Sequence, residues 1–362
     1  MKKALVVVAA MSCATAMADN ALVGNWFVFS GSFESGVESA WGNTYADRFD
    51  ITIEPAGEGQ SSWDLAITNL CGQGRVYGGT LSEDGKTLTL NMPGYCYFSD
   101  RDYQGKGTES LGDANCTIKD PVTITLQDDG TLAISDFSAL CTKLADGAMT
   151  ITTLATYKSV TAVPYSVYHY KPATFTKVND SAWDNEYPEE FDFRLRKVIE
   201  NDNYDVVASD FCGVKDAKTW GTMGEEGVIT LGMLTATYFT DRDYQGKGTE
   251  SLGDTEGTMM GTITLTPNEK GYDVSDFAAI NLSLSTGAPV ITILNKYEGG
   301  AATLVTGGET AIKHTTATDA NVVAVEYYNI NGMKLSAPCK GVNLVKTICA
   351  DGTHVTRKMT VK

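Results

Sequence analysis

The chain has 362 residues, 43% hydrophobic and 20% charged, and a net charge of −17. So acidic a chain excludes sequence-independent nucleic-acid binding, which needs clustered Lys and Arg, and the apolar content excludes a mainly disordered protein. The length suffices for two or three domains with separate cores, and a total of 3 His argues against a His-rich metal site or a His-centred catalyst.

Residues 1–18 read as a leader. Lys2 and Lys3 precede an apolar stretch, Ala4 to Ala10, and Ala16-Met17-Ala18 supplies an Ala-x-Ala site. A basic start, a short apolar run and a small-residue site make a secretory signal peptide, cut between Ala18 and Asp19. A lipoprotein site at Cys13 is the rival, weakened because Ala10 stands where an aliphatic residue is expected. The apolar run is too short to span a bilayer and no later segment is apolar enough, so the protein is expected outside the cell or at the outer cell surface with no transmembrane segment. Export admits disulfides. Cys71, Cys96, Cys116, Cys141, Cys212, Cys339 and Cys349 follow the leader, an odd number without a Cys-x-x-Cys.

Self-comparison organises the rest. Asp100 to Asp113 recurs without change as Asp241 to Asp254, 141 residues later. Ser39-Ala40-Trp41 matches Ser181-Ala182-Trp183, Phe49-Asp50 matches Phe191-Asp192, and Cys71-Gly72 matches Cys212-Gly213. The units are 19–160 and 161–298, each long enough to be a complete domain. Residues 299–320 read as a polar linker and 321–362 as a small module. In the first unit Arg48 to Glu54, Ser62 to Ile67, Thr87 to Leu90, Val122 to Leu126 and Met149 to Leu154 read as strands by period-two alternation. The twin offers Glu190 to Arg196, Tyr204 to Ala208, Val228 to Leu231, Thr262 to Leu265 and Val290 to Leu294. Asp84-Gly85, Asp129-Gly130 and Lys270-Gly271 sit between runs as hairpin turns. Ser135 to Asp146 has a helical look, but its twin Asn281 to Thr286 alternates like a strand. The fold expected is all-β: two antiparallel barrels or sandwiches and a small C-terminal β-sandwich. Cys96 and Cys116 are both missing from the second unit, which points to a disulfide between them; Cys71 with Cys141 is a further pairing, leaving Cys212 odd.

The identical segment is the main site candidate. It presents Asp100, Asp102, Tyr103, Gln104, Lys106, Glu109 and Asp113, and in the twin Asp241, Asp243, Tyr244, Gln245, Lys247, Glu250 and Asp254. Its carboxylates, Asp100, Asp102, Glu109 and Asp113 with their twins, suggest a loose calcium cage, although Leu111 stands where an EF-hand needs Glu. Gln104-Gly-Lys-Gly-Thr108 has the wrong order for a phosphate loop. A binding loop at a barrel mouth and a polar Gly-turn hairpin are the other readings. Trp41 and Trp183, in acidic surroundings, are the second candidate, suited to stacking on sugar rings unless they belong to the core or its rim. Enzyme readings are poor. Glu190 and Asp192 share a strand face opposite Phe191 and Phe193, the pattern of a solvated face rather than of a glycosidase pair. His169, His314 and His354 fall in three modules with no nucleophile motif.

Two resemblances follow from quoted residues. Asn329-Ile-Asn-Gly332 with Lys334, Gly341 to Lys346, and Arg357-Lys358 resemble the C-terminal sorting domain of Bacteroidetes proteins exported by the type IX secretion system, with Asn343 in place of the usual Tyr. The resemblance implies an address read by the export machinery, not a description of the cargo. Cys339 and Cys349 flank the third strand there as a local staple. Gly24-Asn25-Trp26, Phe49 to Glu54, Ile67 to Gly72, Gly79-Thr80 and Gly85 to Leu90 resemble calycin-like (lipocalin-like) barrels, in which a Gly-x-Trp opens the first strand and the Trp plugs the base; Tyr168 stands in the twin position. Together these readings give an exported, non-catalytic binding protein for a glycan, a small apolar ligand or a host polymer. A structural or adhesive surface component, with or without calcium, is the alternative, and a glycoside hydrolase the third.

Overall fold

A computed structural model of the chain describes residues 20–57, 62–91, 97–99, 102–201, 203–240, 243–284, 287–306, 322–329, 334–335, 340–349 and 354–361. The leader lies outside these residues, as do Cys96, Asp100, Asp241 and Cys339.

The first repeat contributes β1 (Gly24–Ser35), β2 (Arg48–Pro55), β3 (Leu65–Thr68), β4 (Val76–Leu81), β5 (Thr87–Leu90), β6 (Thr108–Asp113), β7 (Thr123–Leu126), β8 (Leu132–Ile134), β9 (Phe137–Ala145) and β10 (Ala148–Lys171). Antiparallel pairing closes eight of them into a ring, β1-β2-β3-β4-β5-β7-β8-β10 and back to β1. The alternation in β2 sets its faces: Phe49, Ile51 and Ile53 are buried while Arg48 and Glu54 face solvent. The core of this repeat includes Trp26, Tyr77, Phe137 and Tyr157, among others. β9 extends the sheet beside the ring along the first half of β10, and β6 pairs with β9.

The second repeat adds β11 (Thr174–Lys177), β12 (Phe191–Lys197), β13 (Val206–Ser209), β14 (Lys218–Met223), β15 (Ile229–Gly232), β16 (Thr249–Gly253), β17 (Thr262–Asn268), β18 (Gly271–Val274), β19 (Phe277–Ser283), β20 (Val290–Glu298) and β21 (Ala301–Thr306). A second ring closes as β10-β12-β13-β14-β15-β17-β18-β21 and back to β10. β11, β20, β19 and β16 form the accompanying sheet. Trp26 is in register with Ile51 and Tyr168 with Phe193, so these two buried aromatics hold twin places.

The structure therefore decides for barrels over sandwiches in the repeats. Of Ser135 to Asp146, Phe137–Ala145 is strand β9, as its twin implied. The boundary expected at residue 160 runs through the middle of a strand. β10 pairs with β8 and β1 up to Pro164, then with β12 from Tyr165 onward. One continuous strand thus belongs to both barrels, with no linker between them.

β22 (Val322–Asn329), β23 (Lys334–Leu335), β24 (Gly341–Cys349) and β25 (His354–Val361) form a separate antiparallel sheet in the order β23-β22-β24-β25. Among the described residues no helix is long and apolar enough to cross a membrane.

The expected Cys71–Cys141 disulfide is not formed; both are free thiols. Cys71 lies in the first core against the Tyr157 hydroxyl, and burial raises its thiol far above its ordinary value. Cys212 repeats the arrangement against Tyr297. Cys141 points elsewhere, its Sγ 3.5 Å from the Lys106 carbonyl oxygen. Its twin Asn281 donates from Nδ2 to the Lys247 carbonyl at 2.9 Å. Cys141 thus fills an asparagine's place in a local contact rather than half of a cross-link. Cys116 is also a free thiol; its proposed partner Cys96, and Cys339 of the proposed Cys339–Cys349 pair, lie outside the described residues.

Candidate functional site

The identical segment divides into two parts with different physics. Residues 102–107 form a loop exposed at 103–106; Thr108 to Asp113 form β6, buried along its whole length. Asp102 closes the loop by accepting the Gly107 N–H at 2.6 Å, and Asp243 does the same for Gly248. Gly107 has φ 99°, and a Cβ there would lie 2.5 Å from the Cys141 Sγ. A side chain there would be strained and would displace its neighbours.

Glu109 on β6 and Glu250 on β16 are completely buried. Burying a carboxylate is costly unless hydrogen bonds replace its water. Here they do. Ser39 Oγ donates to Glu109 Oε1 at 2.6 Å, and Asn43 Nδ2 and the Tyr45 hydroxyl each donate to Oε2 at 2.6 Å. Ser39 Oγ in turn accepts the backbone N–H groups of Trp41 and Asn43, at 3.2 and 2.9 Å. In the twin, Ser181 Oγ and the Ala182 N–H donate to Glu250 Oε1 at 2.5 and 3.1 Å, Asn185 Nδ2 donates to Oε2 at 2.6 Å, and the Tyr187 hydroxyl joins it. Burial, and then the neighbouring glutamate, push the Tyr45 and Tyr187 phenols well above their ordinary value. Each therefore remains a proton donor to the carboxylate. The result is a clasp: a Ser-x-Trp-x-Asn-x-Tyr stretch wrapped around a buried glutamate.

Sequence comparison found Ser-Ala-Trp but missed the rest of this stretch. The signal was present, because Asn43 and Tyr45 have Asn185 and Tyr187 at the same offset.

The clasp carries an aromatic patch. Trp41 Nε1 donates to the Gly107 carbonyl at 2.5 Å, which ties the tryptophan to the loop. Its ring lies 5.5 Å from that of Tyr103, with Lys106 Nζ 4.9 Å from its centroid. Trp183 donates to Gly248, lies 5.2 Å from Tyr244 and has Lys247 at 5.0 Å. Tyr103 is 69% and Tyr244 67% exposed, so the outer rings face solvent. Gln104 Nε2 donates to the Tyr103 hydroxyl at 3.0 Å, and Gln245 is exposed on the twin loop. Open grooves adjoin both patches. One of about 630 Å³ is lined by Trp183, Asn185, Tyr238 and Tyr244, and one of about 530 Å³ by Tyr97, Asp102, Tyr103 and Leu144.

The carboxylates of the segment do not share a centre. Asp102 serves its loop and Glu109 its clasp. Asp113 accepts the Asn115 and Thr117 N–H groups at 2.8 and 3.0 Å and the Thr117 hydroxyl; Asp254 does the same for Glu256 and Thr258. Burial works to raise the Asp113 carboxyl, but the Thr117 hydroxyl and the turn N–H groups outweigh it and hold it down to about 2. Each of these three carboxylates has its own protein donors, and among the described residues no group of three or more His, Cys, Asp or Glu side chains is placed to hold a metal. Asp100 and Asp241 lie outside the described residues. Glu190 and Asp192 flank His169 on the barrel surface, at 3.3 and 2.8 Å, and Glu190 also pairs with Lys171. That is a solvated ion cluster.

The fold and site define an all-β protein of two barrels fused through one strand, each bearing a clasped glutamate under an exposed Trp-Tyr-Lys patch. Searches of protein-family models, curated proteins and solved structures give no match to this chain.

Proposed function

We propose that this is an exported, non-catalytic binding protein that takes a glycan on its two aromatic patches. One observation carries the reading: the same outward tyrosine, braced by tryptophan and flanked by lysine and glutamine, recurs in both repeats. A sugar ring presents an apolar C–H face to an aromatic ring and hydroxyls to neighbouring donors, and Tyr103 with Gln104 and Lys106 offers both. The clasp holds the patch before any ligand arrives, which lowers the ordering cost of binding. A small apolar ligand suits the protein less, because the cores of the two repeats are packed with side chains such as Trp26, Tyr157, Phe193 and Tyr297. Two patches on one chain suit a polymer with repeated sugars.

Export to the outer cell surface or the medium belongs to the same proposal. It is supported by the leader, and by the likeness of the tail to a sorting domain that export machinery would read. A structural or adhesive surface role is the second reading. It is favoured by the apolar residues exposed near the hairpin tips of both repeats, Leu144 and Met149 in one, Leu284 and Val290 in the other.

A glycan array probed with the chain beginning at Asp19, with calcium and with chelator, tests the proposal. Binding to a related set of glycans in both conditions supports it. Binding to none overturns it in favour of the adhesive reading.

A further inference from the structure

Where the barrels meet, a second site shares no lining residue with the grooves beside the patches. A cleft of about 240 Å³ opens between β1 and β2 of the first barrel and β12 to β14 of the second, with Tyr165 of the shared strand in its wall. Clefts between domains are where small ligands are most often held. Its lining gathers four cations, Arg48, Arg194, Arg196 and Lys218, against two carboxylates, Asp50 and Asp216, in a chain of net charge −17.

Their commitments differ. Arg194 is saturated, paired with Asp50 and Asp210 and lying 3.1 Å from Asp216. Arg196 is bound to Glu200, and its guanidinium lies 4.0 Å from the Phe27 ring centroid. Arg48 reaches Asp47 only at 3.7 Å, with both side chains half exposed. An exposed pair of this kind contributes little. Lys218 is half-buried, 6.0 Å from the same Phe27 ring, and among the described residues no carboxylate forms an ion pair with it. Burial, then Arg196 and Arg48, hold its ammonium below the ordinary lysine range, with Asp216 and Glu200 opposing them less strongly. A half-buried cation beside two more cations costs stability that an incoming anion would relieve.

We propose that this cleft is a binding site for a small oxyanion, the carboxylate or sulfate group of a ligand no larger than a monosaccharide. Lys218 and Arg48 hold the charge and Phe27 and Tyr165 flank the body of the ligand. A cleft of this size excludes a polymer chain but admits its terminal acidic residue.

Calorimetric titration of the full chain with D-glucuronate, with sodium sulfate and with neutral D-glucose tests the site, at matched ionic strength. Glucuronate, sulfate or both should bind, and glucose should not. Lys218→Met keeps the length and packing of the side chain and should weaken binding at least tenfold, with Arg48→Gln weakening it less. Tyr103→Ala with Tyr244→Ala should leave the anion affinity unchanged, which separates this site from the glycan patches. Affinity unchanged in Lys218→Met, equal binding of glucose, or no binding of either anion would overturn the assignment.

Discussion

At the scale of single residues, the clasp gives the recurrence of the glutamate in the two segments a physical reason. Three or four donors converge on Glu109 and on Glu250, and any change of length or charge leaves several of them unpaired. Glu109→Ala should therefore destabilise the protein by roughly 2–5 kcal/mol, read from urea unfolding, although no ligand contact is removed. A change under about 0.5 kcal/mol would mean the clasp is ornamental. Asp113 gives a pH test. Its folded value of about 2 lies below the reference value of 3.8, so its contribution is present above that reference and is lost as pH falls through the folded value. Asp113→Asn should cost most at about pH 5 and progressively less toward about pH 2. A penalty independent of pH would remove the charged turn from the account. The candidate residues themselves were legible in the sequence, because perfect repetition marks them. Their roles were not. Asp102, Glu109 and Asp113 read as one acidic run, and only tertiary contacts reveal that each carboxylate faces a different set of donors.

At the scale of elements, alternation made β2, β3, β5, β7, β12, β13, β15 and β17 legible but not β4, β8, β14, β18 or β21, and β2 and β12 lie within a residue or two of where the pattern places them. β6 escaped because both of its faces are covered. Thr-Glu-Ser-Leu-Gly-Asp shows no apolar alternation, and burial of its polar groups is sustained by the clasp and by β9. The shared strand escaped because a repeat boundary in sequence need not be a break in hydrogen bonding. Loop geometry gives a prediction at this scale. Gly107→Ala places a Cβ against the Cys141 Sγ at positive φ and should cost more than about 1 kcal/mol. Cys141→Asn copies the second repeat and should be tolerated within about 1 kcal/mol. Thermal melts of the two variants read both outcomes. Equal stability of Gly107→Ala and the parent would contradict the packing described.

At the scale of the whole molecule, the shared strand couples the barrels. β10 is hydrogen-bonded into both rings, so neither ring can open without loosening the other. Scanning calorimetry should show the two barrels melting in one transition, and two well-separated barrel transitions would contradict a fused unit. Chelator should leave that transition in place, since Asp102 and Asp113 are engaged by backbone donors. The acidic surface now has a definite shape. Most of the charge is solvated, two glutamates are clasped, and the cleft between the barrels concentrates cations against the overall sign.

The most direct test of the account is calorimetric titration of the full chain with its best glycan from the array, compared with the Tyr103→Ala, Tyr244→Ala double variant. Both rings are exposed, so the variant should melt within about 2 °C of the parent. The account predicts two sites per chain in the parent and a loss of affinity of at least about tenfold, or about 1.4 kcal/mol, in the variant. Unchanged affinity in a folded double variant would contradict it.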